Sequence, residues 1–146
     1  MPSDPKPSRK LAVVACMDAR LDVAEVLGLE PGDAHVLRNA GGVITDDVIR
    51  SLALSQRKLG TEEIALVHHT DCGLEKITDE GFSAELESDA GAPPPFAIES
   101  FDDVDESVRE SMRRLRASPF LVSRERIRGY VYEVESGRLR EVDDRV

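Results

Sequence analysis

Two nearly continuous apolar runs constrain this chain more than any other feature. They are Leu11-Ala12-Val13-Val14-Ala15-Cys16 and Ile64-Ala65-Leu66-Val67-His68. Neither alternates apolar with polar residues. A strand that reads this way is covered on both faces, as in a parallel sheet packed between helices. The segments between the runs supply those helices. Asp22 to Leu29 reads as helical and ends in the turn residues Pro31-Gly32-Asp33. His35 to Arg38 reads as another strand, leading into Asn39-Ala40-Gly41-Gly42, residues that permit unusual backbone angles. Thr45 suits a helix cap, with Asp46 and Asp47 favourable to the dipole of the first turn. Val48, Ile49, Leu52, Leu54 and Leu59 form its apolar face, and Gly60 ends it.

The second half continues the alternation. Residues 75–98 are polar and contain Pro93-Pro94-Pro95, which predicts a long surface excursion with a short helix around Ser83 to Glu87. Asp102 to Arg116 predicts the clearest helix, with Val104, Val108, Met112 and Leu115 on one face. Acids crowd its start, and Arg113, Arg114 and Arg116 its end. Tyr130 to Val134 predicts a strand, Glu135 to Arg138 a turn, and Leu139 to Val142 a last short strand. The expected fold class is α/β: a mainly parallel central sheet flanked by helices, with a C-terminal antiparallel edge strand or hairpin. Residues 1–10, with three Pro and two Ser, read as a flexible lead-in, and 11–146 as a single domain.

Composition narrows the function. At 146 residues the chain has the size of one domain, and 40% apolar content is enough for one core. Nineteen basic against 29 acidic residues give a net charge of −10, the wrong sign for a free-standing nucleic-acid binder. No apolar run approaches the roughly 20 residues that span a bilayer. Met1 to Pro7 lacks the apolar stretch of a secretory signal. The expectation is a cytoplasmic protein with neither nucleic-acid nor membrane partners. The two cysteines, Cys16 and Cys72, are too few for a secreted disulfide scaffold. They can be buried apolar residues, a catalytic thiol or metal ligands.

In open parallel sheets, ligands sit beyond the carboxyl ends of the strands. Cys16 closes the first run, and His69 and Cys72 follow the third strand. In His69-Thr70-Asp71-Cys72 an imidazole and a thiolate three positions apart on a turn can reach one small ion. Cys16 could add a third ligand. Two thiolates and an imidazole suit Zn²⁺ better than Mg²⁺ or Ca²⁺, and three protein ligands leave one tetrahedral position open, the catalytic pattern. The competing reading is two buried cysteines and an incidental histidine. Asp18 and Arg20 share a side of an extended segment, where a guanidinium can fork a carboxylate. That carboxylate could accept a hydrogen bond from metal-bound water. Taken alone, the pair fits a surface ion pair at the start of a helix better.

Three blocks stand in order: Cys16-x-Asp18-x-Arg20, then Arg38-Asn39-Ala40-Gly41-Gly42, then His68-His69-Thr70-Asp71-Cys72-Gly73. Together they resemble a β-class carbonic anhydrase of the short prokaryotic branch, from about Leu11 to about Val142. The resemblance implies one Zn²⁺ per chain held by Cys16, His69 and Cys72, and an Asp18–Arg20 dyad that orients the fourth ligand. It implies an α/β homodimer or tetramer whose active sites lie at the dimer interface. The implied reaction is reversible hydration of CO₂ to bicarbonate and a proton by zinc-bound hydroxide. Zn²⁺ can lower the pKa of bound water from about 15.7 toward about 7, so that hydroxide exists near neutral pH. Gly41 and Gly42 would let backbone approach the pocket closely, and Val43 would help to hold the uncharged substrate. Relatives of this fold hydrolyse carbonyl sulfide or carbon disulfide with the same ligand set, and a non-catalytic zinc domain is a third reading. A thiol phosphatase is disfavoured, because Asp18 would place a carboxylate where phosphate should sit. His68 should point away from neighbouring His69 and serve the core or support the site, and His35 should be structural. Asp71, between two ligands, could hydrogen-bond nearby backbone, and its role is open.

Overall fold

A computed structural model describes residues 3–143. Five strands form one sheet in the order β2-β1-β3-β4-β5. They are β1 (Leu11–Cys16), β2 (Ala34–Asn39), β3 (Glu63–His69), β4 (Ile127–Glu133) and β5 (Arg138–Val142). The first four run parallel, and β5 pairs antiparallel with β4. This is the expected class, with the hairpin at the C-terminal edge.

The two apolar runs occupy the middle of the sheet, and alternate residues feed two cores. Ala12, Val14, Ile64 and Leu66 face one layer, built from α2 (Asp46–Leu59) and α4 (Val104–Ala117) through Leu52, Met112 and Leu115. Val13, Ala15, Ala65 and Val67 face the other, with Leu21, Val23, Val43 and Leu74. Ala12, Val13, Ala15, Leu66 and Val67 have no exposed surface at all. Each fully buried Leu or Val contributes roughly 1.5–3 kcal/mol of apolar transfer. The side of α4 carrying Val108 and Met112 rests on β4 at Gly129. A Cβ there would run into Val108 Cγ1 and come within 3.1 Å of Met112 Cε.

The helix ends obey local chemistry. Thr45 caps α2 by accepting from Val48 N, and Gly60 closes it at φ 78°. Helix α1 (Val23–Leu27) is capped by Asp22 and ends at Gly28 in the left-handed conformation. Asp103 caps α4. The polar excursion contains a longer helix than its composition suggests: α3 spans Asp79–Ala90, between Thr78 as N-cap and Gly91 as C-cap, and buries no residue. Likewise β4 starts at Ile127, upstream of the expected Tyr130, because strand pairing with β3 carries Arg128 and Gly129 along.

Residues 3–10 contain no helix or strand. Ser8 N and Arg9 N donate to the carbonyls of Gly32 and Asp33, and the Lys10 carbonyl accepts from Glu62 N and Glu63 N. Among the described residues, no helix is long and apolar enough to cross a membrane.

Candidate metal centre

Parallel pairing lays the carboxyl ends of β1 and β3 side by side. Ala15 pairs with Val67, so Cys16 and His69 leave the sheet next to each other. After His69 the chain turns sharply through Asp71 at φ 55° and returns Cys72 to the same spot. The Sγ atoms of Cys16 and Cys72 and a ring nitrogen of His69 all lie within 4.8 Å of one another, and all three residues are buried.

The donor set suits a soft divalent cation. His69 Nδ1 donates to the Thr70 carbonyl at 2.7 Å, which leaves Nε2 facing the sulfur of Cys16 at 3.2 Å. A histidine ligand oriented through its second nitrogen is the usual supporting arrangement around a metal. The Cys16 thiol is drawn down to about 4 by a hydrogen bond from Cys72, against its burial, with His69 and backbone groups of Asp18 and Gly41 adding to the pull. The paired Cys72 thiol is pushed up by Cys16 and by burial. For His69 burial opposes the charged ring, but Cys16, the Thr70 carbonyl and Asp18 outweigh it and raise the ring's pKa. The thiolate form of Cys16 is ready for a cation, whose binding would displace the proton from the His69 ring.

Asp18 stands against this cluster, its Oδ2 3.6 Å from His69 Nε2. Arg20 forks it: Nε donates to Oδ1 at 3.0 Å and Nη2 to Oδ2 at 2.8 Å, while the Arg20 backbone N–H also reaches Oδ1. These hydrogen bonds hold the Asp18 carboxyl well below the usual carboxylate range. A cavity of about 250 Å³ opens above Cys16, Cys72 and Asp18, walled by Met17, Ala40, Gly41, Leu74 and Ile77.

The glycines differ in what they do. Gly41 lines the cavity. Gly42 lies behind it at φ +68°, where a Cβ would sit 2.9 Å from Cys16 N and 3.2 Å from His68 Cδ2. Only a residue without a side chain lets this loop close on β1. Val43 packs in the apolar cluster that contains Cys16 and Cys72, but it lines a different cavity, of about 330 Å³, with Ile44 and Phe101. His68 points away from His69 and donates from Nε2 to the Gly42 carbonyl at 3.1 Å. Burial lowers it to about 4, so the ring is neutral. His35 is tied to Ser55 Oγ and the Pro5 carbonyl, at the start of β2 and far from the cluster.

Several contributors had no assigned role in the sequence reading. Arg38 donates to the carbonyls of Cys16, Asp18 and Leu21 and so braces the loop that carries both cluster and dyad. Its place in the second motif block was visible; its partners depend on how β1 and β2 pair. Leu74 and Ile77 follow Cys72 by two and five positions, a spacing that could have nominated them as walls of the cavity.

A buried S₂N donor set under an open cavity, at the carboxyl ends of a parallel sheet, is an arrangement that could hold a metal ion in an α/β protein. Comparison with known proteins narrows the class. A carbonic anhydrase family model matches residues 11–92. The chain is 53% identical over 136 residues to Beta-carbonic anhydrase 1 of Mycobacterium tuberculosis, covering 93% of this chain and 83% of that protein. The crystal structure of carbonic anhydrase from Streptococcus mutans aligns with a TM-score of 0.91 at 46% identity, covering 98% of this chain and 87% of the other. Carbon disulfide hydrolase of Acidianus sp. is 39% identical over 157 residues, 91% of this chain and 77% of that protein. The chain belongs to the β-carbonic anhydrase family.

Proposed function

We propose that this chain catalyses the reversible hydration of CO₂ to bicarbonate and a proton, with one Zn²⁺ held by Cys16, His69 and Cys72. The observation that carries the reading is the convergence of two thiol sulfurs and one imidazole nitrogen within 4.8 Å beneath an open cavity. When bound, the ion would supply a Lewis acid that lowers the pKa of water toward about 7, and two thiolates would leave it somewhat above that value. The other tasks fall to the protein. Asp18, kept ionised by Arg20, is an acceptor that can take a hydrogen bond from the attacking water and aim it. Arg20 cannot itself act as a base, so its role is to hold that carboxylate. The mostly apolar wall of Met17, Ala40, Leu74 and Ile77 suits a small uncharged linear substrate and offers water few partners. Two cysteines that form no disulfide fit a reducing, cytoplasmic setting. Met17, 64% exposed at the cavity, supports a homodimer or tetramer in which a second chain covers this mouth.

A second reading keeps the site and changes the substrate to carbon disulfide or carbonyl sulfide. The 39% identity to a carbon disulfide hydrolase favours it, and the cavity wall suits either molecule. Stopped-flow CO₂ hydration on zinc-analysed protein, from about pH 6.5 to 9 across the expected pKa of the activated water, separates them. Activity that rises with pH supports the first reading. A zinc-replete protein silent toward CO₂ that releases sulfide from carbon disulfide supports the second.

A further inference from the structure

Arg20 is clamped from two sides. Asp18 takes Nε and Nη2, while Asp71 takes Nη1 on its Oδ2 at 3.0 Å and also Nη2 on its backbone carbonyl at 2.9 Å. Asp71 is in turn tethered by Lys76 Nζ, 2.7 Å from Oδ1. The charges therefore alternate along a chain from Asp18 through Arg20 and Asp71 to Lys76. Asp71 lies on the turn between His69 and Cys72, and Arg20 follows Cys16 on the other strand end. This bond thus joins the two segments that bring the metal ligands together. The backbone of Asp71 is left-handed, at φ 55°, a conformation Asp tolerates better than most residues.

We infer that Asp71 is a positioning residue for the proposed CO₂ hydration, on which this inference rests. By holding the far edge of the Arg20 guanidinium, it fixes the plane of the fork and hence the direction of the Asp18 carboxylate at the metal cavity. A guanidinium bound along one edge can rock about its Nε; one bound along both cannot. The Arg20 and Asp71 side chains are 47% and 44% exposed, so the pair adds little to folding stability. Its effect is on geometry, where small misplacements cost rate.

The test uses the full zinc-loaded chain. Asp71→Gly keeps the left-handed turn and the backbone carbonyl and deletes the side chain. Asp71→Asn keeps the turn and one acceptor oxygen. The expected result is a fall in kcat of about tenfold or more for Asp71→Gly, with KM nearly unchanged, and partial rescue by Asp71→Asn. Exchange of the Arg20 Nε–H, followed by ¹⁵N NMR, should quicken in the same order. A residue that only shapes the turn would change zinc content or Tm and leave kcat per bound zinc alone. Wild-type kcat in zinc-saturated Asp71→Gly, or unchanged Arg20 exchange, overturns the inference. If the wild-type protein itself fails to hydrate CO₂, the proposed function fails, and the exchange comparison still decides whether Asp71 holds Arg20.

Discussion

The candidate metal ligands and helix α3 are opposite in what holds them. Cys16, His69 and Cys72 are 4%, 1% and 2% exposed; the register of buried parallel strands places the first two, and the turn through Asp71 brings Cys72 to them. Helix α3 buries nothing and exists between Thr78 and Gly91 because those two residues satisfy its ends. Long-range packing fixes the first region and local backbone chemistry the second. A substitution should therefore propagate in one and stay local in the other. Helix α4 lies between these extremes: its ends are capped like those of α3, but Val108, Met112 and Leu115 tie it to the sheet.

The comparison sharpens most at the ligands. Cys72→Ser replaces a soft donor with a hard one and should lower zinc retention and CO₂ hydration by at least about a hundredfold, read by metal analysis and stopped flow. Leu115→Ala, in the packed helix, should cost about 2–5 kcal/mol in denaturant unfolding, because Leu115 has no exposed surface and its loss leaves a cavity. Smaller again is the link between α4 and β5, where Arg140 forks Asp105 at 2.7 and 2.8 Å. Hydrogen bonds from Arg140 hold the Asp105 carboxyl below its ordinary range. Its stabilisation is complete above the unfolded value of about 3.9 and is lost as pH falls through the lower folded value. Asp105→Asn should remove about 1 kcal/mol or less at neutral pH, the pair being partly exposed. It should also flatten the acid limb of stability measured by urea unfolding against pH. Smallest is Glu85→Ala on α3, expected within about 0.5 kcal/mol of wild type by the same assay. A large loss there would break the contrast by showing that α3 is packed against something.

The same contrast explains how legible each region was in the sequence. The runs at 11–16 and 64–68 announced buried parallel strands because burial on both faces leaves no polar alternation. The cysteines were notable because they stood at strand ends. Thr45 and Gly60 marked α2 correctly because capping chemistry is local. Helix α3 runs beyond the expected Ser83 to Glu87 because Thr78 and Gly91 cap it, while only Phe82 and Leu86, both half-buried, hint at an apolar face that would reveal its period. The partners of Arg38 and the second clamp on Arg20 were not legible. Both depend on which strands lie side by side, a fact no single segment carries. Val43, expected at the substrate pocket from its place after Gly42, packs in the apolar cluster with Cys16 and Cys72 and lines a neighbouring cavity.

The central claim is that two thiolates and one imidazole, from the ends of two parallel strands, hold a zinc ion with one position left open. X-ray absorption on the zinc-loaded protein tests it most directly. The account predicts one zinc per chain with two sulfur neighbours at about 2.3 Å and two nitrogen or oxygen neighbours at about 2.0–2.1 Å. A shell without sulfur, with four sulfurs, or a protein that retains no zinc would contradict it.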